Sequence, residues 1–223
     1  MFKLIALLKR KPGMSVDDFQ RYWLSQHGPL VSRQSEVRRQ VQSHALAQGY
    51  RKGELLFDGI SETWFESAQS YAAYLRGPAA SIVLADQANF LDCTRTVLMP
   101  VDVHVIKDGA IPASAVKNIE FVNRRVGMAL EPFRQYWRSV HGPLASRIAV
   151  IRRYEQNHLK LSTYEVDATP AFDGLAITWF ESTTDMKDGA KTPEYVATRA
   201  DEPNFLPDGH LPIIITREHL IVG

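Results

Sequence analysis

The sequence predicts an α+β fold made of two ferredoxin-like β-α-β-β-α-β repeats in tandem, packed sheet to sheet as a barrel within one chain. Three observations predict it. A long motif recurs at fixed spacing, each copy runs through strand and helix periodicities in that order, and each copy's sheet would carry helices on one face only.

The recurrence is specific. Phe19-x-x-Tyr22-Trp23-x-x-x-His27-Gly28-Pro29-Leu30 returns as Phe133-x-x-Tyr136-Trp137-x-x-x-His141-Gly142-Pro143-Leu144. Phe57-Asp58-Gly59, Trp64-Phe65-Glu66-Ser67 and Asn89-Phe90 return as Phe172-Asp173-Gly174, Trp179-Phe180-Glu181-Ser182 and Asn204-Phe205. All four tryptophans pair across the copies, as do His27 with His141, His44 with His158, and His104 with His219. Gly and Pro in Lys107-Asp108-Gly109-Ala110-Ile111-Pro112 mark the join, giving repeats 1–110 and 111–223.

Within the first copy, Phe2 to Lys9 is apolar on both alternating faces and reads as a covered strand. Ser15 with Asp18 forms a variant capping box that opens a helix, on which Phe19, Trp23 and His27 share one face. Gly28-Pro29 is expected to stop that helix. Strands follow at about Arg38 to Leu46 and Phe57 to Phe65, then a helix around Ala68 to Leu75, and a β-branched strand near Val97 to Ile106. The helix-free face of such a sheet needs a cover, and the tandem copy supplies one.

Composition narrows the function classes. The apolar share of 45%, the charged share of 23% and a net charge of +1 fit a globular protein with no broad field for nucleic acid or anionic membrane. Arg38-Arg39, Arg124-Arg125 and Arg152-Arg153 read as solvated or locally paired. A single cysteine, Cys93, excludes an internal disulfide and suggests a reducing, cytoplasmic setting. It aligns with Asp208, so chemistry shared by both copies cannot use a thiol. No apolar run approaches membrane-spanning length. Phosphate loops, nucleophile elbows, H-E-x-x-H and zinc-type cysteine spacings are absent, so no metal and no cofactor is expected.

The chemistry-bearing candidates lie on the second strand and at the helix end. Arg152, Tyr154, Gln156 and His158 would share one strand face, as would Arg38, Gln40, Gln42 and His44, with Val37, Val41 and Ala45 on the other. A buried polar row needs partners, and opposite a helix carrying His141 or His27 it forms the wall of a polar pocket or a satisfied network that only fixes register. His104, His219 and His210 read as structural. Trp23, Trp64, Trp137 and Trp179 read first as core, with Trp23 and Trp137 as candidate cavity walls. Asp58 and Asp173 precede glycine and read first as turn residues, Asp173 also as a candidate substrate contact.

Tyr136-Trp137 with His141-Gly142-Pro143-Leu144, Arg153-Tyr154-x-Gln156-x-His158, Phe172-Asp173-Gly174, Trp179-Phe180-Glu181-Ser182 and Pro193-Glu194-Tyr195 together resemble the EthD-like proteins, named for ethyl tert-butyl ether degradation, of the dimeric α/β-barrel superfamily. The likeness covers the chain twice. Copy one departs from it, with Gln40 in place of the tyrosine and Gly77-Pro78-Ala79 in place of Pro193-Glu194-Tyr195. The resemblance implies an intramolecular dimeric α/β barrel whose superfamily relatives act on small cyclic or aromatic molecules, many without a cofactor. The leading expectation is a cofactor-independent lyase, isomerase or cyclase for a small aromatic, polyketide-like or lactone metabolite. His141 or His158 would transfer the proton, Tyr154 and Gln156 would hold an enolate oxygen, Trp137 and Arg152 would contact substrate, and His27, His44 and Trp23 would repeat these parts. The alternatives are a cofactor-free monooxygenase of phenolic substrates and a non-catalytic small-molecule-binding accessory protein. Fusion makes a pseudo-dimer within one chain and leaves further homodimerisation open.

Overall fold

The order of elements follows the predicted one in both repeats of the computed structural model, which describes residues 1–167 and 169–223. The first repeat contains β1 (Phe2–Leu8), α1 (Val16–Tyr22), α2 (Gly28–Ser32), β2 (Val37–Ala45), β3 (Gly59–Phe65), α3 (Ala68–Arg76), α4 (Pro78–Gln87) and β4 (Val97–Lys107). The second contains β5 (Val116–Val122), α5 (Leu130–Tyr136), α6 (Gly142–Ser146), β6 (Arg153–Leu159), a short α7 (Leu161–Tyr164), β7 (Gly174–Phe180), α8 (Thr183–Gly189), α9 (Pro193–Asp201) and β8 (Ile213–Val222). The hydrogen-bonded strand order is β1-β3-β2-β8-β5-β7-β6-β4, closed on itself. The chain is an α+β protein of two ferredoxin-like repeats whose strands form one eight-stranded antiparallel barrel, and closure removes the sheet edges.

The two compact units cut across the sequence repeats. One is Met1–Val101 with Thr216–Gly223, the other Asp102–Ile215. The last strand of each repeat therefore serves both units. The C-terminal part of β8 pairs with β2, from Ala45↔Thr216 to Gln40↔Val222. Periodicity marks such a strand without saying which partner takes which half.

Two local expectations change. Gly28-Pro29 and Gly142-Pro143 do not end their helices: Trp23–His27 and Trp137–His141 form π turns, and the helix continues as α2 and α6. The Gly28 and Gly142 N–H groups bond to the Trp23 and Trp137 carbonyls. A regular helix would press the proline ring against the carbonyl four residues back, and the wider turn relieves this. The second change is in β2, where the register shifts between Val37 and Arg39. The extra residue swaps faces, so Val37 packs with Val31, Phe65 and Tyr74 below the helices, while Arg38 and Arg39 are exposed. The predicted polar row holds from Gln40 onward; Val41 and Ala45 are buried as expected.

The core below each helix pair is aromatic, with Phe19, Trp23 and Phe90 in the first repeat and Phe133, Trp137 and Phe205 in the second. Ser15 accepts a hydrogen bond from the Asp18 N–H at 3.1 Å, as the capping box predicts. Gly59 and Gly174 have a role their Asp-Gly context did not show. A Cβ there would lie 2.5 Å from the Trp23 ring and 2.8 Å from the Trp137 ring, so these glycines form the slots that seat the indoles. Asp58 and Asp173 anchor ion clusters: Asp173 accepts from the Arg124 backbone N–H, the Arg124 guanidinium and the Tyr164 hydroxyl, and Asp58 likewise from Arg10 and Tyr50.

Candidate active site in the second repeat

The π turn sets the key imidazole. It brings His141 Nδ1 to 3.0 Å from Asp201 Oδ2 on α9, and the other Asp201 oxygen accepts from the Tyr136 hydroxyl at 2.6 Å and the Asn204 amide at 3.0 Å. The first repeat builds the same unit, with His27 Nδ1 at 2.8 Å from Asp86 Oδ2 and Tyr22 and Asn89 on Asp86 Oδ1. Burial would raise the Asp201 pKa, but the hydrogen bonds from Tyr136, Asn204 and His141 outweigh it and hold the carboxylate below its usual range. Burial lowers the His141 pKa, and Asp201 offsets only part of that. The resting state is therefore neutral imidazole with its proton on Nδ1. Nε2, which has no protein partner among the described residues, keeps its lone pair.

Beneath Trp137 lies a second network. His158 stacks on the indole at 4.4 Å between centroids and meets the edge of His104 at 4.7 Å. His158 Nε2 lies 3.1 Å from Gln156 Oε1, which orients the amide so that its Nε2 donates to the Trp137 carbonyl at 2.7 Å and the Tyr154 hydroxyl at 3.0 Å. Tyr154 thus accepts from Gln156 and keeps its own proton for another acceptor. Burial raises the Tyr154 pKa, so the phenol stays protonated. Burial also drives the His158 pKa down to about 2 and that of His44, which stacks on Trp23, to about 3. Neither imidazole exchanges protons near neutrality.

His141, Trp137 and Tyr154 line a cavity of about 240 Å³ between the sheet and α8–α9. Its polar lining comprises Asn118 and Glu120 of β5, Tyr154, Thr178, Lys187 of α8, Tyr195 of α9, and Arg199 with Glu202 at the end of α9, together with His141. Asn118 donates to Glu120 at 3.0 Å, and Arg199 donates to Glu202 at 2.7 Å. Burial raises both carboxyl groups: it outweighs Asn118 and Arg199 at Glu120, and it takes Glu202 to about 7 despite Arg199, with Glu120 adding to the rise. A neutral base and two protonatable acids therefore share one small chamber.

The first repeat has a cavity of similar size, about 250 Å³, but a different lining. Where the second has Asn118, Glu120, Tyr154, Arg199 and Glu202, the first has Leu4, Ala6, Gln40, Leu84 and Gln87.

With this geometry, the sequence matches the EthD domain at residues 11–94 and again at 125–208, more than half of the chain. The chain belongs to the EthD family. An EthD family protein from Bacillus halodurans C-125 shares 22% identity over 46% of this chain and 98% of its own, with a TM-score of 0.38. An anthrone oxidase-like protein is similar in fold at 9% identity, covering 99% of this chain and 92% of its own with a TM-score of 0.64. A mutant chlorite dismutase from Candidatus Nitrospira defluvii aligns over 99% of this chain and 92% of its own at 8% identity and a TM-score of 0.52. No protein of curated function matches the sequence.

Of the candidates read from sequence, the structure brings His141, Trp137 and Tyr154 together at one EthD cavity, and His27 and Trp23 at the other. Gln156 and His158 sit behind the wall and orient it, as Gln42 and His44 do in the first repeat, where His44 Nε2 lies 2.9 Å from Gln42 Oε1. Arg152 precedes β6 and pairs with Glu181 at the surface, away from the cavity. Asp173 is held by Arg124 and Tyr164 and does not line it. Sequence reading missed Asp201 and Tyr136 as histidine partners, though Asp86-x-x-Asn89-Phe90 and Asp201-x-x-Asn204-Phe205 repeat together. It also missed Glu120 and Glu202, for which the comparison of copies is misleading because copy one has Ala6 and Gln87 there.

Proposed function

We propose that the cavity of the second EthD repeat is an acid–base active site for a small carbonyl-bearing ring compound, performing a lyase, isomerase or cyclase reaction. One observation carries this reading: a neutral His141, fixed through Nδ1 by Asp201, presents a free Nε2 to a chamber that also holds Glu120 and Glu202. His141 Nε2 removes a proton next to the substrate carbonyl, and Asp201 stabilises the resulting imidazolium. Tyr154, its oxygen already accepting from Gln156, donates its proton to the developing enolate oxygen. Glu202 returns a proton at the other end of the reacting system. Trp137 and Phe205 supply the apolar walls. The chamber falls below the range of about 300–1,000 Å³ common for drug-sized ligands, so the substrate is small.

The test uses 2-tetralone in D₂O with proton NMR. The full-length protein should accelerate exchange of the α-protons, and His141→Gln should lower that rate by about 10²- to 10⁴-fold. Equal exchange by wild type and His141→Gln would remove His141 from the mechanism. Oxygen uptake with a phenolic substrate and no added flavin or metal, in place of α-proton exchange, would instead identify the monooxygenase reading.

A further inference from the structure

The glutamate assigned as acid in the second cavity is held by a chain of side chains that runs out to the surface. Arg199 donates from Nη1 to both Glu202 oxygens, at 2.7 Å to Oε1 and 2.6 Å to Oε2. Its other terminal nitrogen, Nη2, lies 2.8 Å from Nδ1 of His210, an exposed residue in the loop before β8. We propose that His210 is a positioning residue, which keeps the Arg199 guanidinium docked on Glu202 in both protonation states of that carboxyl group. The purpose of such a device rests on reading Glu202 as the acid of the cavity; its test does not.

The chemistry of the contact fixes its polarity. A guanidinium has donors only, so His210 Nδ1 accepts, and the ring in this contact is neutral with its proton on Nε2. When Glu202 is ionised, the carboxylate is itself enough to hold Arg199. When Glu202 carries its proton, as a donor must, Arg199 loses that counter-charge and would gain rotamer freedom by swinging into water. His210 holds the second nitrogen and keeps the cation in place for the carboxylate that forms as the proton leaves.

The surroundings single out this lever. Burial raises the Glu202 pKa to about 7, Glu120 and the adjacent Asp201 add to the rise, and Arg199 opposes it. Among the described residues, no other ionisable group lining the chamber (Glu120, His141, Tyr154, Lys187 or Tyr195) bonds to Glu202. His210 does not line the chamber, so it acts through Arg199. Its loop is seated by Leu206 and Leu211, which do line it, and Gly209 takes φ +98° immediately before the imidazole. In the first repeat the corresponding positions are Leu84, Gln87 and Arg95, so the arginine, the acid and the histidine occur together or not at all.

The experiment follows the Glu202 side-chain carboxyl by ¹³C NMR in full-length protein labelled at glutamate Cδ, with Glu202→Gln to assign the signal. His210→Phe keeps a ring and removes the acceptor; the Glu202 midpoint should rise by about 0.5–1 pH unit, because the ionised form loses part of its docked cation. His210→Gln, whose amide oxygen also accepts from a guanidinium, should restore the wild-type midpoint. Where turnover is measured, the alkaline limb should move with the midpoint in His210→Phe while KM holds. An unchanged or lowered midpoint in folded His210→Phe would overturn the proposal, and so would an equal rise in His210→Gln. The titration is read without any substrate, so it stands or falls apart from α-proton exchange at His141.

Discussion

At the scale of single residues, the site depends on pairs whose members shift one another. His141 must be neutral to accept a proton, and burial has moved its pKa below the ordinary histidine value. Activity should therefore rise with pH through a value below about 6.5. Glu202 must be protonated to donate, and burial has moved it up to about 7, so activity should fall as pH rises through that value. A bell-shaped profile of kcat/KM is the expected outcome. Asp201→Asn removes the carboxylate that partly raises the His141 pKa, so the acid limb should move to lower pH while the plateau drops by about 10²-fold. Glu202→Gln should instead flatten the alkaline limb at a reduced rate. Profiles of both variants on one substrate check the two assignments; an unmoved alkaline limb in Glu202→Gln would take that residue out of the proton path. The repeated His141 and the aromatic Trp137 were legible because repetition marks them. Glu120 was not, because a single glutamate on a strand declares its burial only when the fold places β5 beneath α9.

At the scale of elements, the π turn and the glycine slots explain why the motif is spaced as it is. Trp, His and Gly at positions 137, 141 and 142 place the indole over Gly174, the imidazole against Asp201, and a bare Cα beside Gln156. A Cβ on Gly142 would come within 3.0 Å of Gln156 Nε2 and 3.2 Å of Ile106 Cγ2. A Cβ on Gly174 would meet the Asn157 carbonyl oxygen at 2.6 Å as well as the Trp137 ring. Gly174→Ala should thus push the indole off its seat, costing about 1–3 kcal/mol by overpacking. It should also lower turnover, because Trp137 is a cavity wall and its carbonyl holds Gln156. Urea denaturation and kinetics on the same variant check both effects; unchanged stability would show that the indole has room to shift. The sequence showed that a helix carries these residues but not that it widens at His141. Helical spacing of four and a π turn differ by one hydrogen-bond register, which residue types alone do not distinguish.

At the scale of the whole molecule, duplication was plain in the sequence, and the exchange of strand ends between the compact units was not. That exchange has a consequence for acid stability, because it completes the environment of the buried histidines. The part of β8 that joins the first unit carries His219 to 4.4 Å from His44, and β4 carries His104 to His158. His27, His44, His104, His141, His158 and His219 all have pKa values lowered first by burial, to about 3 for His44 and about 2 for His158. The folded chain therefore holds these rings neutral where the unfolded chain, with histidines near 6.5, takes up protons. The unfolded state binds more protons as pH falls below about 6.5, so stability is retained above that value and declines through pH 6 and 5 towards the folded-state values. Each fully depressed imidazole contributes a slope of about 1.4 kcal/mol per pH unit in that window. Phenylalanine at positions 44 and 158 keeps a flat ring on each indole and removes the proton uptake. The urea midpoint of the His44→Phe, His158→Phe double variant should therefore lose less than the wild-type midpoint between pH 7 and 5. Equal losses in the two proteins would mean that these imidazoles reach solvent, and the dry packing of His44 on Trp23 and His158 on Trp137 would have to be abandoned.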